Sequence, residues 1–335
     1  MIPRRLSSIF LSAVFLLSSI FPASALASSA RQAVDPAVRA QQMLAKMTAE
    51  ERVGQLFLVS FTGSTADENS QIYDLITKHH IGGVVLLAGN DNFVAAPDTV
   101  SSAYQLIAQL QNTEWQSTQN PPVGSNPPNY IPLFIGISQD GDGYPDDQIL
   151  SGLTPLPDLM AIGATWDPSL AQQVGSVAGQ ELSSLGFNLF FGPSLDVLES
   201  PAATLGNGLG ASVFGGDPYW VGAMGSAYIS GLHTGSGERM VVIADHFPGR
   251  GSSDRPAGGE PATVRKSLEQ MKQIELAPFF TVTGDATTPD STADGLLVSH
   301  IRYQGIQGNI RSITRPVSFD QQALSDILSL PEFSS

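Results

Sequence analysis

The segment of residues 244–254 carries more ionisable side chains than a turn requires for its structure. It reads Ala-Asp-His-Phe-Pro-Gly-Arg-Gly-Ser-Ser-Asp and directly follows the apolar run of residues 240–243, which is typical of a buried strand. Ionisable groups at the end of a buried strand cost free energy unless they are paired or used, so they indicate a functional site. The groups concerned are Asp245, His246, Arg250 and Asp254.

Other apolar runs of the chain also end in polar side chains, many of them carboxylates. These side chains are Asn90 and Asn92, then Ser138, Gln139, Asp140 and Asp142, then Ser194 and Asp196, and finally His300, Arg302 and Tyr303. In a parallel barrel the carboxyl ends of the strands share one face, and active sites lie there. Carboxylates and amides on such a face, with a few aromatic rings, are typical of sites that bind sugar hydroxyl groups.

The elements that must position these groups alternate between short apolar runs and helical patterns. Runs that are apolar on both faces, as buried parallel strands are, occupy residues 56–61, 83–87, 133–137, 188–191, 240–244 and 295–299. Helices are predicted over residues 70–79, 168–185, 218–232, 264–280 and 320–330. A capping box formed by Thr48 and Glu51 predicts the start of another helix.

The alternation of strands and helices predicts a parallel α/β fold, either an open doubly wound sheet or a (β/α)8 barrel of the TIM type. No glycine-rich phosphate loop follows the first predicted strand, which disfavours a dinucleotide-binding sheet. A barrel needs eight βα units, and the chain provides about six before it ends. We therefore expect either an incomplete barrel or an open sheet.

Residues 1–27 have the pattern of a secretory signal peptide. Two arginines precede an apolar core at residues 9–21, and Ala25-Leu26-Ala27 forms a small-x-small cleavage site. The apolar core is too short for a membrane anchor, which needs about 20 apolar residues. We expect cleavage after Ala27, a secreted or periplasmic protein, and one large domain without an integral membrane segment over residues 28–335.

The composition excludes several kinds of chemistry. The absence of cysteine excludes disulfides, thiolate metal ligands and a cysteine nucleophile. The formal net charge of −15 disfavours nucleic acid and anionic lipid as partners and favours a neutral substrate over a phosphorylated one. The acidic run of residues 140–147 fails the EF-hand pattern, because Tyr144 stands at the third ligand position and no Glu closes the loop. We predict no metal and no cofactor, and interpret the run as a site loop or a solvated acidic turn.

Residues 245–251 resemble the Lys-His-Phe-Pro-Gly-His-Gly signature of the N-terminal domain of glycoside hydrolase family 3. Further segments agree with the family in order and spacing, at residues 47–57, 81–86, 156–165, 186–197 and 299–301. The resemblance extends roughly over residues 36–330 and is strongest to the bacterial β-N-acetylhexosaminidases that trim cell-wall sugars. It implies a (β/α)8 barrel and a retaining glycosidase whose partner is a saccharide substrate.

A retaining mechanism needs a carboxylate nucleophile and an acid/base carboxyl about 5 Å apart. In the family the nucleophile is an Asp on the seventh strand, so the resemblance implies a nucleophile beyond residue 335 and an inactive 335-residue chain. The family's Asp-x-His acid/base dyad aligns with Pro256 and Gly258 and is absent. Asp254 and Glu260 are the nearest carboxylates, and each either acts as the acid or belongs to an ordinary exposed turn.

Three positions that bind the sugar in the family also differ in this chain. Asp245 stands in place of a Lys, a residue at about Ser212 in place of an Arg, and Ser138 in place of an Asp. These changes alter the hydrogen-bonding groups of the pocket, so specificity for N-acetylglucosamine does not transfer. The remaining candidates for substrate binding are Asp140, Asp196, Asp245, His246, Arg250 and His300.

Most of these candidates also have a purely structural interpretation. His246 either contacts the sugar or bonds a backbone carbonyl in the core, and Arg250 either binds the ligand or bridges to Asp245 or Asp254. Asp196 either faces the site or caps the next loop. His300 is expected to be a hydrogen-bonding group on the pocket floor.

Two functions remain open from the sequence. The first is an exported glycoside hydrolase acting on β-linked sugars, similar to a β-N-acetylhexosaminidase or a β-glucosidase. The second is a catalytically lapsed member of the family that binds saccharides or acts as a scaffold, which the absent dyad favours. Against the second, the signature loop replaces its ionisable residues by other ionisable residues.

Overall fold

The computed structural model describes residues 35–119, 128–199, 209–256 and 260–333. The predicted signal peptide and the Gly258 position of the dyad lie outside the described residues. The chain divides into two units after Lys46, and the first contains helix α1 (Pro36–Lys46), none of whose residues is buried. No helix in the described part of the chain combines the length and the apolarity that a bilayer crossing requires.

The second unit contains a six-stranded parallel sheet whose strands are neighbours in chain order. Its strands are β1 (Leu58–Val59), β2 (Gly83–Val85), β3 (Phe134–Ile137), β4 (Leu189–Ser194), β5 (Val241–Phe247) and β7 (Gly295–Val298). Each of them falls on one of the predicted apolar runs, so all six strand predictions are confirmed. A doubly wound sheet would reverse its strand order at a switch point, whereas this order runs in one direction, as in a barrel.

Strands β4 and β5 continue beyond the apolar runs that predict them. Their pairing extends to Ser194 opposite Asp245 after a shift in register, and the amide of Leu195 donates to the carbonyl oxygen of Asp245 at 2.6 Å. Strand β5 also pairs with β7 as far as Phe247 opposite Val298. The ionisable residues that were expected in a turn after the strand therefore begin inside β5, where β4 and β7 hold the backbone on both sides.

The helices of the second unit precede, separate and follow these strands along the chain. They are α2 (Ala49–Gly54), α3 (Gln71–His79), α4 (Thr99–Gln119), α5 (Leu159–Gly163), α6 (Pro168–Leu185), α7 (Pro218–Ser236), α8 (Leu268–Gln273), α9 (Ala277–Thr281), α10 (Gln304–Gln307) and α11 (Gln321–Leu328). The capping box at Thr48 is confirmed, since its side chain accepts from the amide of Glu51 while the Glu51 carboxylate accepts from the amide of Thr48.

The prediction of one helix over residues 264–280 is wrong. Val264 lies in strand β6 (Thr263–Val264), and two short helices follow it. Ser267 forms a capping box at the start of α8, and Pro278 occupies the first turn of α9, where its missing amide is tolerated. Strand β6 pairs in parallel with β8 (Arg302–Tyr303) to form a second small sheet that the apolar pattern does not predict.

Helices α6 and α7 approach each other closely, because glycine stands at four of the positions where their backbones meet. The glycines concerned are Gly175 and Gly179 on α6 and Gly231 and Gly235 on α7. A Cβ atom at Gly231 would lie 2.1 Å from the carbonyl oxygen of Gln172, well inside van der Waals contact. Helix α7 also packs against β4 and β5, so this contact helps to set the position of the strands that carry the ionisable residues.

We expect Gly231→Ala to destabilise the protein, although the helix propensity of alanine exceeds that of glycine by about 1 kcal/mol. The added methyl group must push the two backbones apart, so the free energy of unfolding should fall by about 2 kcal/mol. Urea denaturation measures the change, with Gln173→Ala at an exposed position of α6 as a control that stays within about 0.5 kcal/mol. Unchanged stability of Gly231→Ala would contradict the close packing.

Candidate active site

Asp196 lies just beyond the end of β4 and has no solvent-exposed surface. Its carboxylate accepts hydrogen bonds from Nδ1 of His246 at 2.8 Å, from the amide of Arg250 at 2.6 Å and from Nε of Arg250 at 3.3 Å. Burial alone would raise the pKa of Asp196, but His246 and Arg250 outweigh it and hold the pKa below its usual value. Asp196 is therefore a fixed anion that orients the imidazole and folds the turn after β5.

His246 is the titratable group that Asp196 presents to solvent, with 26% of its side chain exposed. Its Nδ1 faces Asp196, and its other ring nitrogen, Nε2, lies 3.6 Å from a carboxylate oxygen of Asp245. Burial alone would lower the pKa of His246, but Asp245 and Asp196 outweigh it and raise the pKa above its usual value. At a given pH the charged form of this imidazole is therefore more populated than in a free histidine, and that form donates hydrogen bonds from both nitrogens.

The acidic run after β3 forms an ordered loop around Asp147. The Asp147 carboxylate accepts from the amides of Asp140 at 2.7 Å, Gly141 at 2.8 Å and Gly143 at 2.9 Å. Gly141 and Gly143 adopt φ angles of 84° and 85°, a conformation that favours glycine. With its amides bound in this way, the loop turns the side chains of Asp140 and Asp146 toward the end of β5.

These groups surround a cavity of about 330 Å³ at the carboxyl ends of β2, β3, β4, β5 and β7. Its lining residues are Val85, Leu87, Ser138, Asp140, Asp146, Phe191, Ser194, Ser212, Asp245, His246, Arg250 and Leu297. The volume falls in the range of small-molecule sites, about 300–1,000 Å³. A larger hollow of about 480 Å³ borders α2, β1 and α3, but its lining is mostly apolar and contains none of the predicted site residues.

Four of the residues predicted to bind substrate meet at this cavity, namely Asp140, Asp245, His246 and Arg250. Asp196 lies beneath them and acts on the cavity through His246 and Arg250. His300 lies elsewhere: its side chain is exposed, bonds the hydroxyl of Ser318 at 2.5 Å and stacks on Phe319. Since β7 ends at Val298, the chain has already turned away from the cavity at His300, and the expected place on the pocket floor is not observed.

The two carboxylates predicted as acids are not among the cavity-lining residues. Asp254 accepts from the amide of Thr263 at 2.9 Å and lies within 3.4 Å of Arg255 and Arg265. Although burial opposes the change, these donors lower the pKa of Asp254 and keep it ionised. Glu260 is largely exposed and pairs with Arg255 at 2.7 Å. A group that donates a proton near neutral pH needs a raised pKa, which Asp254 lacks.

Asp146 is a cavity residue that the sequence pattern assigned only to an acidic run. It reaches the cavity together with Ser212, whose hydroxyl donates to Asp146 at 3.2 Å and also to Asp142. The only local signal for this position is the following Asp147, whose three amide contacts fold the loop. Among the residues that the structure describes, no group of three or more His, Asp or Glu side chains is placed to hold a metal ion.

The turn after β5 is also braced from a distant part of the chain. Tyr303 in β8 is fully buried, and its hydroxyl donates to the carbonyl oxygen of Gly249 at 2.9 Å. Thr263, which pairs with Arg302 across the small sheet, donates its amide to Asp254 at the other end of the same turn. Residues 249–254 are therefore held at both ends by the small sheet.

A one-directional parallel sheet with carboxylates and an imidazole at the ends of its strands defines a barrel-type α/β domain with a polar ligand site. The chain belongs to glycosyl hydrolase family 3, since residues 48–330 match the family described as Glycosyl hydrolase family 3 N terminal domain. The resemblance seen in the sequence is thereby confirmed.

Relatives of known name are β-hexosaminidases. The chain is 29% identical over 198 residues to a β-hexosaminidase of Chromobacterium violaceum, covering 57% of this chain and 50% of the relative. It is 26% identical over 267 residues to β-hexosaminidase A of Pseudoalteromonas piscicida, covering 77% of this chain and 40% of the relative. The chain thus spans half the length, or less, of these two relatives.

Two solved structures of related enzymes are also similar to this chain. The family 3 β-N-acetylglucosaminidase of Paenibacillus sp. str. FPU-7 superposes with a TM-score of 0.71 at 26% identity, covering 85% of this chain and 47% of that chain. The β-N-acetylhexosaminidase of Beutenbergia cavernae superposes with a TM-score of 0.66 at 25% identity, covering 86% of this chain and 76% of that chain. The predicted α/β barrel-type fold is confirmed by these similarities.

Replacement of Asp196 by alanine should destabilise the protein strongly. The change leaves His246 and Arg250 without their common acceptor in a buried place, which typically costs about 3–5 kcal/mol. Asp74→Ala is the matched control, because it breaks an exposed ion pair with Lys78 and should cost less than about 1 kcal/mol. Urea denaturation of both variants checks the contrast, and equal losses would contradict the role given to Asp196.

His246 should titrate at a higher pH in the folded protein than in the unfolded chain. A raised pKa means that the protonated ring stabilises the fold fully below about pH 6.5 and that this contribution is lost as the pH rises through the folded pKa. Proton NMR of the His246 ring measures the value, and Asp196→Asn should lower it, since one of the two carboxylates is then neutral. A pKa at or below that of the urea-unfolded chain is incompatible with this network.

Proposed function

We propose that this chain forms the sugar-binding barrel part of an exported, β-hexosaminidase-like glycoside hydrolase that acts on β-linked sugars with retention of configuration. The observation that carries the proposal is the cavity at the ends of the strands, where His246 is fixed by Asp196 beside Asp245. Membership of glycosyl hydrolase family 3 and the β-hexosaminidase names of its relatives support it. Export is supported by the signal-like residues 1–27.

The chemistry of the cavity suits a sugar ring. Its serine hydroxyls at positions 138, 194 and 212 donate or accept hydrogen bonds, and the carboxylates accept them from hydroxyl groups. Phe191 and Leu297 offer apolar surface for the carbon face of a ring. Residues Asp140, Asp245, His246 and Arg250 are therefore proposed as the groups that contact the sugar.

The proposed acid role of Asp254 or Glu260 has weaker support from the geometry than the binding role of His246. Both carboxylates are held by Arg255, and neither lines the cavity. This observation favours a second candidate function, a family member that binds saccharides without turning them over. The two functions are distinguished by whether the protein secreted by its own cells hydrolyses a β-glycoside.

Calorimetry measures the binding of the methyl β-glycosides of glucose, N-acetylglucosamine and glucosamine. We expect His246→Ala to weaken this binding about tenfold or more, because a charged hydrogen bond is worth about 1.5–3 kcal/mol. His79→Ala, at an exposed end of α3, is the control and should bind as the unmodified chain does. Hydrolysis of an aryl β-glycoside by the secreted protein, with the β-anomer as first product, would support the retaining enzyme.

Two other results have clear meanings. Binding that depends on His246 without any hydrolysis would favour the saccharide-binding family member over the enzyme. If no glycoside binds, or if His246→Ala binds as tightly as the control, the cavity is not the sugar site and the proposal fails.

A further inference from the structure

The cavity at the end of β5 holds more carboxylates than the positive charges facing it can balance. Asp140, Asp146 and Asp245 line it, and Arg250 and His246 are the basic residues of the lining. Both basic groups bind Asp196, which lies beneath the lining, and His246 is also 3.6 Å from Asp245 through Nε2. The carboxylates that face the open space are therefore left with little compensation from the described residues.

Asp245 is the clearest of these carboxylates. The residue is only 9% exposed, yet it lines the cavity, and the partner given for its carboxylate among the described residues is His246. Its nearest cationic contact is Nε2 of His246 at 3.6 Å, which is longer than a hydrogen bond. Burying a carboxylate in this way is costly unless a partner arrives, so the position of Asp245 indicates a ligand that donates to it.

A second observation concerns the loop after β3. One carboxylate oxygen of Asp140, which lines the cavity, is enclosed and has no hydrogen-bond partner among the described residues. The same is true of one oxygen of Asp142, which does not line the cavity and whose other oxygen accepts from Ser212. Asp147 in the same loop is different, because its carboxylate accepts three backbone amides and is satisfied by the fold itself. Burial, together with neighbouring carboxylates, raises the pKa of Asp140, and burial raises that of Asp142 and Asp245. A positive ligand would relieve this repulsion.

The arrangement fits an ammonium group better than a metal ion. A bound Ca²⁺ or Mg²⁺ draws several oxygens to within about 2.0–2.6 Å, and no group of three or more acidic or histidine side chains is so placed in the described part of the chain. An ammonium group needs only hydrogen-bond acceptors, and it has three donors to offer them. The serine hydroxyls of the same cavity already donate to protein oxygens, but their oxygens can accept hydrogen bonds from the hydroxyl groups of a sugar.

We propose that the cavity selects sugars with a free amino group, that is, de-N-acetylated hexosamines, with Asp245 and Asp140 accepting hydrogen bonds from the ammonium. The inference rests on the proposed saccharide-binding function and specifies its substrate class. An acetylated amine carries no charge and donates a single N–H, so it leaves these carboxylates unsatisfied. The negative charge of the whole chain, −15, also attracts a cationic sugar.

The test compares methyl β-glucosaminide with methyl β-N-acetylglucosaminide by calorimetric titration of the full chain at pH 6, where an amine is protonated. We expect the free amine to bind about tenfold tighter or better, and Asp245→Asn to abolish most of this preference. Asp326→Asn, an exposed position on α11 with the same change in charge, should keep it. Circular dichroism and urea unfolding of both variants check that they fold.

Each remaining outcome of the test decides a separate question. If the acetylated sugar binds as tightly as the free amine or more tightly, this inference is wrong and the proposed function is unaffected. The same holds if Asp245→Asn still prefers the free amine. If neither sugar binds, both proposals fail. Titration with CaCl₂ is the third arm, and calcium binding that Asp245→Asn removes would identify a metal site and overturn the ammonium site.

Discussion

Asp196 places a carboxylate without solvent contact beside the ends of β4 and β5, and it is satisfied by His246 at the end of β5 and by Arg250 in the turn that follows. Folding this turn and orienting the imidazole of His246 are consequently one event. The carboxylate is stable as an anion only while His246 and Arg250 remain in place, and they are held only while it is charged. The rest of the cavity is arranged around this mutual requirement.

The carboxylates of the site divide into two groups by what they face. Asp196 and Asp147 accept hydrogen bonds from the protein itself, and each fixes a segment of backbone. Asp140 and Asp245 line the cavity close by; one oxygen of Asp140 has no partner among the described residues, and Asp245 is 3.6 Å from His246. The first group makes the site rigid, and the second leaves it with unsatisfied acceptors that a ligand can use. Rigid supports with unsatisfied groups above them are what a selective pocket requires.

The strands of the sheet could be predicted from the sequence because a buried parallel strand is apolar on both faces, and this is a local property. The contact between His246 and Asp196 joins residues 50 positions apart, and no periodic pattern encodes it. The position of His300 away from the cavity was not predictable for a related reason, since it depends on where β7 stops pairing with β5. Asp146 was missed because its direction depends on how Asp147 folds the loop. Local patterns thus predicted the scaffold, while long-range pairing set the direction of the side chains.

The small sheet of β6 and β8 has a consequence for how this site can change. Tyr303 and Thr263 hold the two ends of the turn after β5, although Tyr303 lies 54 positions from Gly249 in the chain. The signature segment is therefore not a self-contained module. Transplanted alone onto another barrel, it would carry its acids and bases without the brace that spaces them. A change in the shape of this turn would therefore have to be matched by a change in the small sheet, in segments that are remote in sequence.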